Sequence, residues 1–296
     1  MSSKQYDIDR IQQIIYFHPP TNPDSTKTFL LIQGLHSNQT RMHGVIEFLQ
    51  DYGQVISFDL PGTGETAPLN STGQDISLEN LSEYLGKLIS QIEVTNLFVV
   101  AISLGGQLIT TTLLQNPELE NKLDKILGLG CPLGADSFHP FDLKNPELFF
   151  FKSLLVFRYW PLINIAQRIV NSPKIKWLYR LGIKKYQDTG QRSELVELEY
   201  QLWKQDLKTH ATIGHQLLTK QFLIPSNAKI EIDFINLITK DDQYIDWNKT
   251  NQLFGQYYRN YSFHFLKLAN HAPSLIATKE EIKATLTKQI LDIIAS

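Results

Sequence analysis

Short apolar runs, each closed by a loop of small and polar residues, punctuate the first part of the chain. Thr28-Phe29-Leu30-Leu31-Ile32, Val55-Ile56-Ser57-Phe58, Leu97-Phe98-Val99-Val100 and Ile126-Leu127-Gly128-Leu129 show no regular polar alternation. Such runs are expected of strands buried on both faces, as in a parallel sheet covered by helices. Between them the period changes. Ser77 precedes Leu78, Leu81, Leu85, Leu88 and Ile89, a helical spacing with a capping residue in front. Met42 to Gln50 reads as a second helix, and Gln107 to Leu114 as a third that continues out of the Leu97 run. Ile8 to Phe17 predicts one or two edge strands, and Pro19 to Asp24 a turn. Strands alternating with helices predict an α/β fold with a mainly parallel, doubly wound sheet.

The alternation breaks between residues 134 and 227, where helical patterns, aromatic residues and prolines at 140, 146, 161 and 173 dominate. This stretch reads as an inserted helical cap. The rhythm then resumes, with a strand over Glu231–Ile238, a helix over Trp247–Gln256 and a strand over Ser262–Leu268. A single amphipathic helix over Lys279–Ala295 closes the chain. The expected organisation is therefore a core of 1–133 and 228–296 interrupted by a cap of 134–227.

The pivotal stretch is Ala101-Ile102-Ser103-Leu104-Gly105-Gly106, which lies between a buried strand and a helix. A strand that reverses sharply into a helix leaves little space at the bend. Small residues on either side of Ser103 meet that demand, and the serine itself is expected in an uncommon backbone conformation with its hydroxyl at the rim of the sheet. The pentapeptide resembles the nucleophile elbow of the α/β-hydrolase family, Gly-x-Ser-x-Gly, with Ala101 for the first Gly. Three further segments carry the resemblance in the family's order. Asp59-Leu60-Pro61-Gly62-Thr63-Gly64 is similar to its Asp-x-Pro-Gly-x-Gly loop. Thr239-Lys240-Asp241-Asp242 is similar to its Gly-x-x-Asp, with Thr239 for the Gly. Asn270-His271-Ala272-Pro273 is similar to its Gly-His-x-Pro, with Asn270 for the Gly.

The resemblance implies a serine nucleophile, Ser103, a base, His271, and an acid that orients it, Asp242, with Asp241 as the adjacent alternative. It also implies an oxyanion hole made by the Leu104 N–H and, from Gln33-Gly34-Leu35, the Leu35 N–H. Gln33 stands where the family usually has His, and a glutamine can hydrogen-bond in its place. His36, close by, reads either as pointing into the site or, the favoured reading, as a solvated loop residue. The implied activity is cleavage of a small-molecule carboxylic ester with an apolar acyl part. A lactonase, a carbon–carbon bond hydrolase, and a catalytically slow binding protein or receptor on the same scaffold are the alternatives. Ser103 argues against the family's epoxide and haloalkane reactions, which use a carboxylate nucleophile.

Composition narrows the picture further. A chain of 296 residues with 42% hydrophobic content suffices for one large core plus a lobe. A net charge of −2 and no basic stretch interleaved with aromatics exclude nucleic acid as an expected partner. The sole cysteine, Cys131, excludes an intramolecular disulfide and a cysteine-rich zinc site, and reads as a buried thiol. No cofactor is expected. Gly62-x-Gly64 lacks the further residues of a phosphate cradle, and His36 with His43, or His210 with His215, lack a ligand partner at metal spacing. The polar N-terminus and the absence of any long uncharged apolar stretch lead to an expected cytoplasmic location. The apolar run Leu148–Trp160 reads as cap packing, as an acyl-binding wall above Ser103, or as a segment making weak contact with a membrane surface.

Overall fold

In the computed structural model, which describes residues 1–139, 162–177, 192–204, 206–223, 229–240, 242, 244–267 and 277–296, eight strands form one sheet. They are β1 (Ser2–Ile8), β2 (Ile11–His18), β3 (Thr28–Ile32), β4 (Gln54–Phe58), β5 (Leu97–Ile102), β6 (Leu123–Leu129), β7 (Asp233–Thr239) and β8 (Tyr261–Leu266). Their order across the sheet is β1-β2-β4-β3-β5-β6-β7-β8. β1 and β2 form a hairpin whose two turn residues, Asp9 and Arg10, both have left-handed φ of 53° and 67°. That is the backbone a two-residue hairpin needs to match strand twist. β2 pairs antiparallel with β4, and every later pairing is parallel. Six strands therefore end at the same rim, and the loops that leave them converge there.

The non-alternating runs are explained by two apolar layers. Leu30, Ile32, Val99 and Ala101 face a core shared with helices α2 (Leu78–Gln91) and α3 (Leu104–Gln115). Their neighbours Phe29, Leu31, Phe98, Val100 and Ile102 face the opposite core, built on α1 (His43–Gln50) and the C-terminal residues Ile282, Leu286, Ile290 and Ile294. Successive side chains point to opposite faces, so a strand covered on both sides must be apolar throughout.

The closing segment is two helices, not the single one expected from its period. α8 (Lys279–Thr285) and α9 (Lys288–Ala295) are separated by Leu286 in an extended conformation (φ −90°, ψ 143°). The Thr287 hydroxyl accepts from the Ile290 N–H and starts the second helix, and the break leaves Leu286 and Ile290 both buried. Between β6 and β7 the described residues include helices α4 (Leu162–Val170), α5 (Arg192–Trp203) and α6 (Leu207–Thr219). α6 is anchored to the sheet layer. Ile213 and Leu217 enter the core, and the Gln216 side chain accepts from the Leu78 N–H at 2.9 Å and donates to the Ile76 carbonyl at 3.2 Å. α4 rests on α6 through Ile163, Leu207 and Ala211. The Leu148–Trp160 segment lies outside the described residues. α7 (Trp247–Tyr257) joins β7 to β8.

One buried side chain extends the hydrogen-bonded sheet where β6 ends. Asn236 of β7, with no solvent exposure, accepts from the Cys131 N–H at 3.3 Å and donates to the Cys131 carbonyl at 3.1 Å. Replacing it by leucine strands both backbone groups in an apolar setting, at a cost of roughly 1–3 kcal/mol for each. Asn236→Leu is expected to lower the urea midpoint by an amount equivalent to at least ~2 kcal/mol with an unchanged m-value. An unchanged midpoint in equilibrium unfolding would show that those groups find other partners.

Candidate active site

β5 delivers the chain to Ser103 at the rim, where φ is 48° and ψ −112°. This region is strongly disfavoured for a residue with a side chain and costs about 1–3 kcal/mol. The surroundings hold it there. The Ser103 N–H donates to the Leu129 carbonyl at 2.9 Å, and its carbonyl accepts from the Gly106 N–H at 3.0 Å. The adjacent glycines show how tight the bend is. A Cβ on Gly105 would lie 2.7 Å from the Ile32 oxygen and 3.1 Å from the Gln33 oxygen. One on Gly106 would lie 2.4 Å from the Cys131 Cβ. The expected uncommon backbone at Ser103 is therefore observed, with the loop after β3 packed directly against it.

That loop is Gln33-Gly34-Leu35-His36. A Cβ on Gly34 would stand 3.3 Å from the Ser103 Cβ. Gln33 is buried and donates from Nε2 to the Thr63 hydroxyl at 2.7 Å, which braces the loop against the Asp59–Gly64 turn. Among the described residues no acceptor meets the Leu35 N–H. Leu104 opens α3, so its N–H has no intrahelical acceptor. The start of α3 also carries the positive end of the helix dipole. The Gly34 loop and the first turn of α3 thus meet at Ser103.

The Asp59 carboxylate is a brace for the rim. Oδ1 accepts from the Gln39 N–H at 2.7 Å, and the Glu65 N–H also donates to this carboxylate. Burial raises its pKa above the usual carboxylate range, against those donors. On the far side of β5, the Cys131 thiol donates to the Ala101 carbonyl at 3.2 Å and is pushed up to about 12 by burial. It remains a thiol at neutral pH and is no nucleophile.

Past β7, Asp242 is buried, with Oδ1 accepting from the Tyr244 N–H at 2.8 Å and the Ile245 N–H at 3.0 Å. Backbone pairing fixes the surrounding loop. His139 donates to the Tyr244 carbonyl and Asp246 to the Ser137 carbonyl, while the Trp247 indole N–H binds the Thr239 carbonyl at 2.7 Å. The expected rival, Asp241, lies outside the described residues, as does His271. β8 runs parallel to β7 with Leu266 paired to Thr239, so the chain leaves β8 at the rim that carries Ser103 and Asp242.

His36 differs from the expectation of a solvated residue. Its side chain is 22% exposed, and Nε2 lies 3.1 Å from Oε1 of Glu199 on α5. The same oxygen accepts from the Trp203 indole N–H at 2.8 Å. The His36, Trp203 and His210 rings pack with centroids 4.6 to 5.2 Å apart. His210, on α6, is packed against both other rings. Burial opposes ionisation of Glu199, but the His36 and Trp203 donors and the charge of Arg41 outweigh it, so its pKa is lowered. The sequence carries no signal for this cluster, because His36 lies 163 or more residues before Glu199, Trp203 and His210, which two later helices supply. Among the described residues no group of three metal-ligating side chains occurs, and no helix is long and apolar enough to cross a membrane.

Comparison with known proteins places these features in context. A family model described as the alpha/beta hydrolase fold matches residues 27–276. An uncharacterized hydrolase, YugF, from Bacillus subtilis (strain 168) is 26% identical over 120 residues, which is 40% of this chain and 42% of the relative. The match thus spans under half of that relative's length. An esterase from Exiguobacterium antarcticum superposes with a TM-score of 0.68 at 15% identity, covering 100% of both chains. An epoxide hydrolase, CorEH, does so with a TM-score of 0.69 at 12% identity, covering 99% of this chain and 98% of its own. At such identities these likenesses show the fold.

The histidine cluster has a consequence for stability. Burial, with the neighbouring His36, depresses the His210 pKa to about 3, against 6.5 for the ordinary group. Below pH 6.5 the unfolded chain takes up a proton that the folded one refuses until about pH 3. Stability is thus full above that window and declines as pH falls through it, by up to about 1.4 kcal/mol per pH unit from this group. Urea unfolding of His210→Phe and the native chain at pH 7.5, 5.5 and 4.5 is expected to show the native chain losing more with acid. Parallel losses would show that His210 protonates freely in the fold.

Proposed function

The chain belongs to the alpha/beta hydrolase fold family, and on that basis we propose that it is a serine hydrolase cleaving a carboxylic ester with an apolar acyl part. The observation that carries the reading is Ser103, held at positive φ between the Gly34 loop and the first turn of α3, where the Leu35 and Leu104 N–H groups are proposed to meet an oxyanion. In this proposal the Ser103 Oγ attacks the ester carbonyl carbon while His271 takes its proton, and Asp242 orients the imidazole. The Leu35 and Leu104 N–H groups hold the negative oxygen of the tetrahedral adduct. The C–O bond to the alcohol breaks as His271 returns the proton to it. Water then attacks the acyl-enzyme, again giving its proton to His271, and the acid leaves with Ser103 restored.

Asp242 fits the orienting role because two backbone N–H groups fix its carboxylate in a buried loop at the same rim. Residues 134–227, with α4 to α6, are proposed as the cap over this site. A reducing, cytoplasmic location is consistent with the buried thiol of Cys131.

A weak contact with a lipid surface is a second reading favoured by α4. Leu162, Ile165 and Ile169 lie on one face of that helix and are 40%, 54% and 54% exposed, with Arg168 and Lys174 exposed beside them. Co-sedimentation with anionic phosphatidylglycerol vesicles is expected to fall in Ile165→Asp/Ile169→Asp. Equal recovery of variant and native chain would dismiss it.

The triad is tested with a fluorophosphonate probe and p-nitrophenyl esters. The native chain is expected to be labelled once and to turn over short esters. Ser103→Ala should lose the label, and His271→Ala or Asp242→Asn should lower kcat by roughly 10³–10⁴-fold. Native protein that neither labels nor turns over would favour a binding role on this scaffold. Loss with Asp241→Asn in place of Asp242→Asn would transfer the orienting role to the neighbouring carboxylate.

A further inference from the structure

The loop that presents the Leu35 N–H is held from two sides. On one side, Gln33 is bonded to Thr63 of the Asp59–Gly64 turn, and the Arg41 guanidinium donates to the His36 carbonyl. On the other, α5 reaches it through Glu199, whose Oε1 meets both the His36 Nε2 and the Trp203 Nε1. His36 directly follows Leu35, so a displacement of the His36 ring is passed to the peptide that carries the donor. The His36 Nδ1 is buried without a partner among the described residues, so Glu199 supplies the imidazole's polar hold. Ring packing against Trp203 and His210 supplies the rest.

We propose that Glu199 is a positioning residue: it latches α5 onto the His36 ring and so sets the Leu35 N–H for the oxyanion. The proposal rests on the serine-hydrolase reading above. Its physical basis is that oxyanion donors act only when aimed to within a few tenths of an ångström of the developing charge. A loop freed on one side keeps its substrate contacts but presents its donor less well, so the loss falls on kcat and leaves KM in place. It also makes the seating of α5 a condition for full activity, which couples the helices between β6 and β7 to the chemistry at Ser103.

The experiment uses the full chain and begins with fluorophosphonate labelling of Ser103. Absent labelling in the native protein overturns the serine-hydrolase reading itself, and the latch is then judged by exchange alone. In labelled protein, Glu199→Ala is expected to lower kcat for p-nitrophenyl butyrate about ten-fold or more with KM within about two-fold. Glu199→Gln keeps an oxygen that accepts from both N–H groups and is expected to restore kcat to within about three-fold of native. Glu197→Ala, on the same helix but paired at the surface with Lys176, serves as the control and should leave kcat unchanged. Hydrogen–deuterium exchange of the peptide spanning Gln33–Asn38 is expected to be faster in Glu199→Ala and native-like in Glu199→Gln. Equal kcat in the Glu199→Ala and Glu197→Ala variants, a loss confined to KM, failure of Glu199→Gln to rescue, or unchanged exchange would each overturn the proposal. If Glu199→Ala does not fold, Trp203→Phe, which removes the second donor and keeps the ring, is expected to give a smaller loss of kcat and the same faster exchange. Native values of both in that variant would overturn it.

Discussion

The strained backbone at Ser103 depends on a buried parallel sheet that can resist it. A residue with φ of 48° relaxes unless the segments before and after it are fixed. Here β5 lies between β3 and β6 in the interior of the sheet, and glycines at 105 and 106 let the start of α3 close against the end of β3 and against Cys131 beyond β6. The few kilocalories per mole stored at the bend are offset by burial of the Leu97–Ile102 side chains on both faces, worth about 1.5–3 kcal/mol for each large one. The strained geometry at the rim is thus maintained by apolar packing well away from it.

The same rim is stiffened by polar groups that replace water with fixed partners. The Asp59 carboxylate takes two backbone N–H groups, Asp242 takes two, and the Gln33 side chain bridges to Thr63. Such bonds contribute little net stability, since each exchanges protein for solvent partners, but removing one leaves a buried group unsatisfied. They confine the loops to one geometry, which is what an oxyanion site requires. Glu199 extends the network to α5, and its ionised state in a largely buried setting is maintained by the His36 and Trp203 donors and by Arg41.

Much of this was legible along the chain. The uninterrupted apolar runs identified doubly covered strands because side chains alternate between two faces that are both dry. Small residues around Ser103 signalled a bend without room. Local spacing was less informative at the C-terminus, where Ile282, Leu286, Ile290 and Ile294 keep a helical period across a break at Leu286. Periodicity reports which side chains face inward, and both a continuous and a broken helix satisfy it. The hydroxyl of Thr287 makes the difference, through a cap that a hydrophobic pattern does not register.

The amino-acid order alone established the α/β class, the succession of strands and helices, and the candidates Ser103, Asp242, His271, Leu35 and Leu104, because each depends on local spacing or on a short motif. Tertiary structure alone decided how closely Gly34 approaches Ser103, that Asn236 completes the hydrogen bonding of Cys131, and that His36 is engaged by Glu199 and packed against Trp203 and His210. These are contacts between residues far apart in the chain. Their geometry follows from strand register and helix packing, which no window of sequence contains.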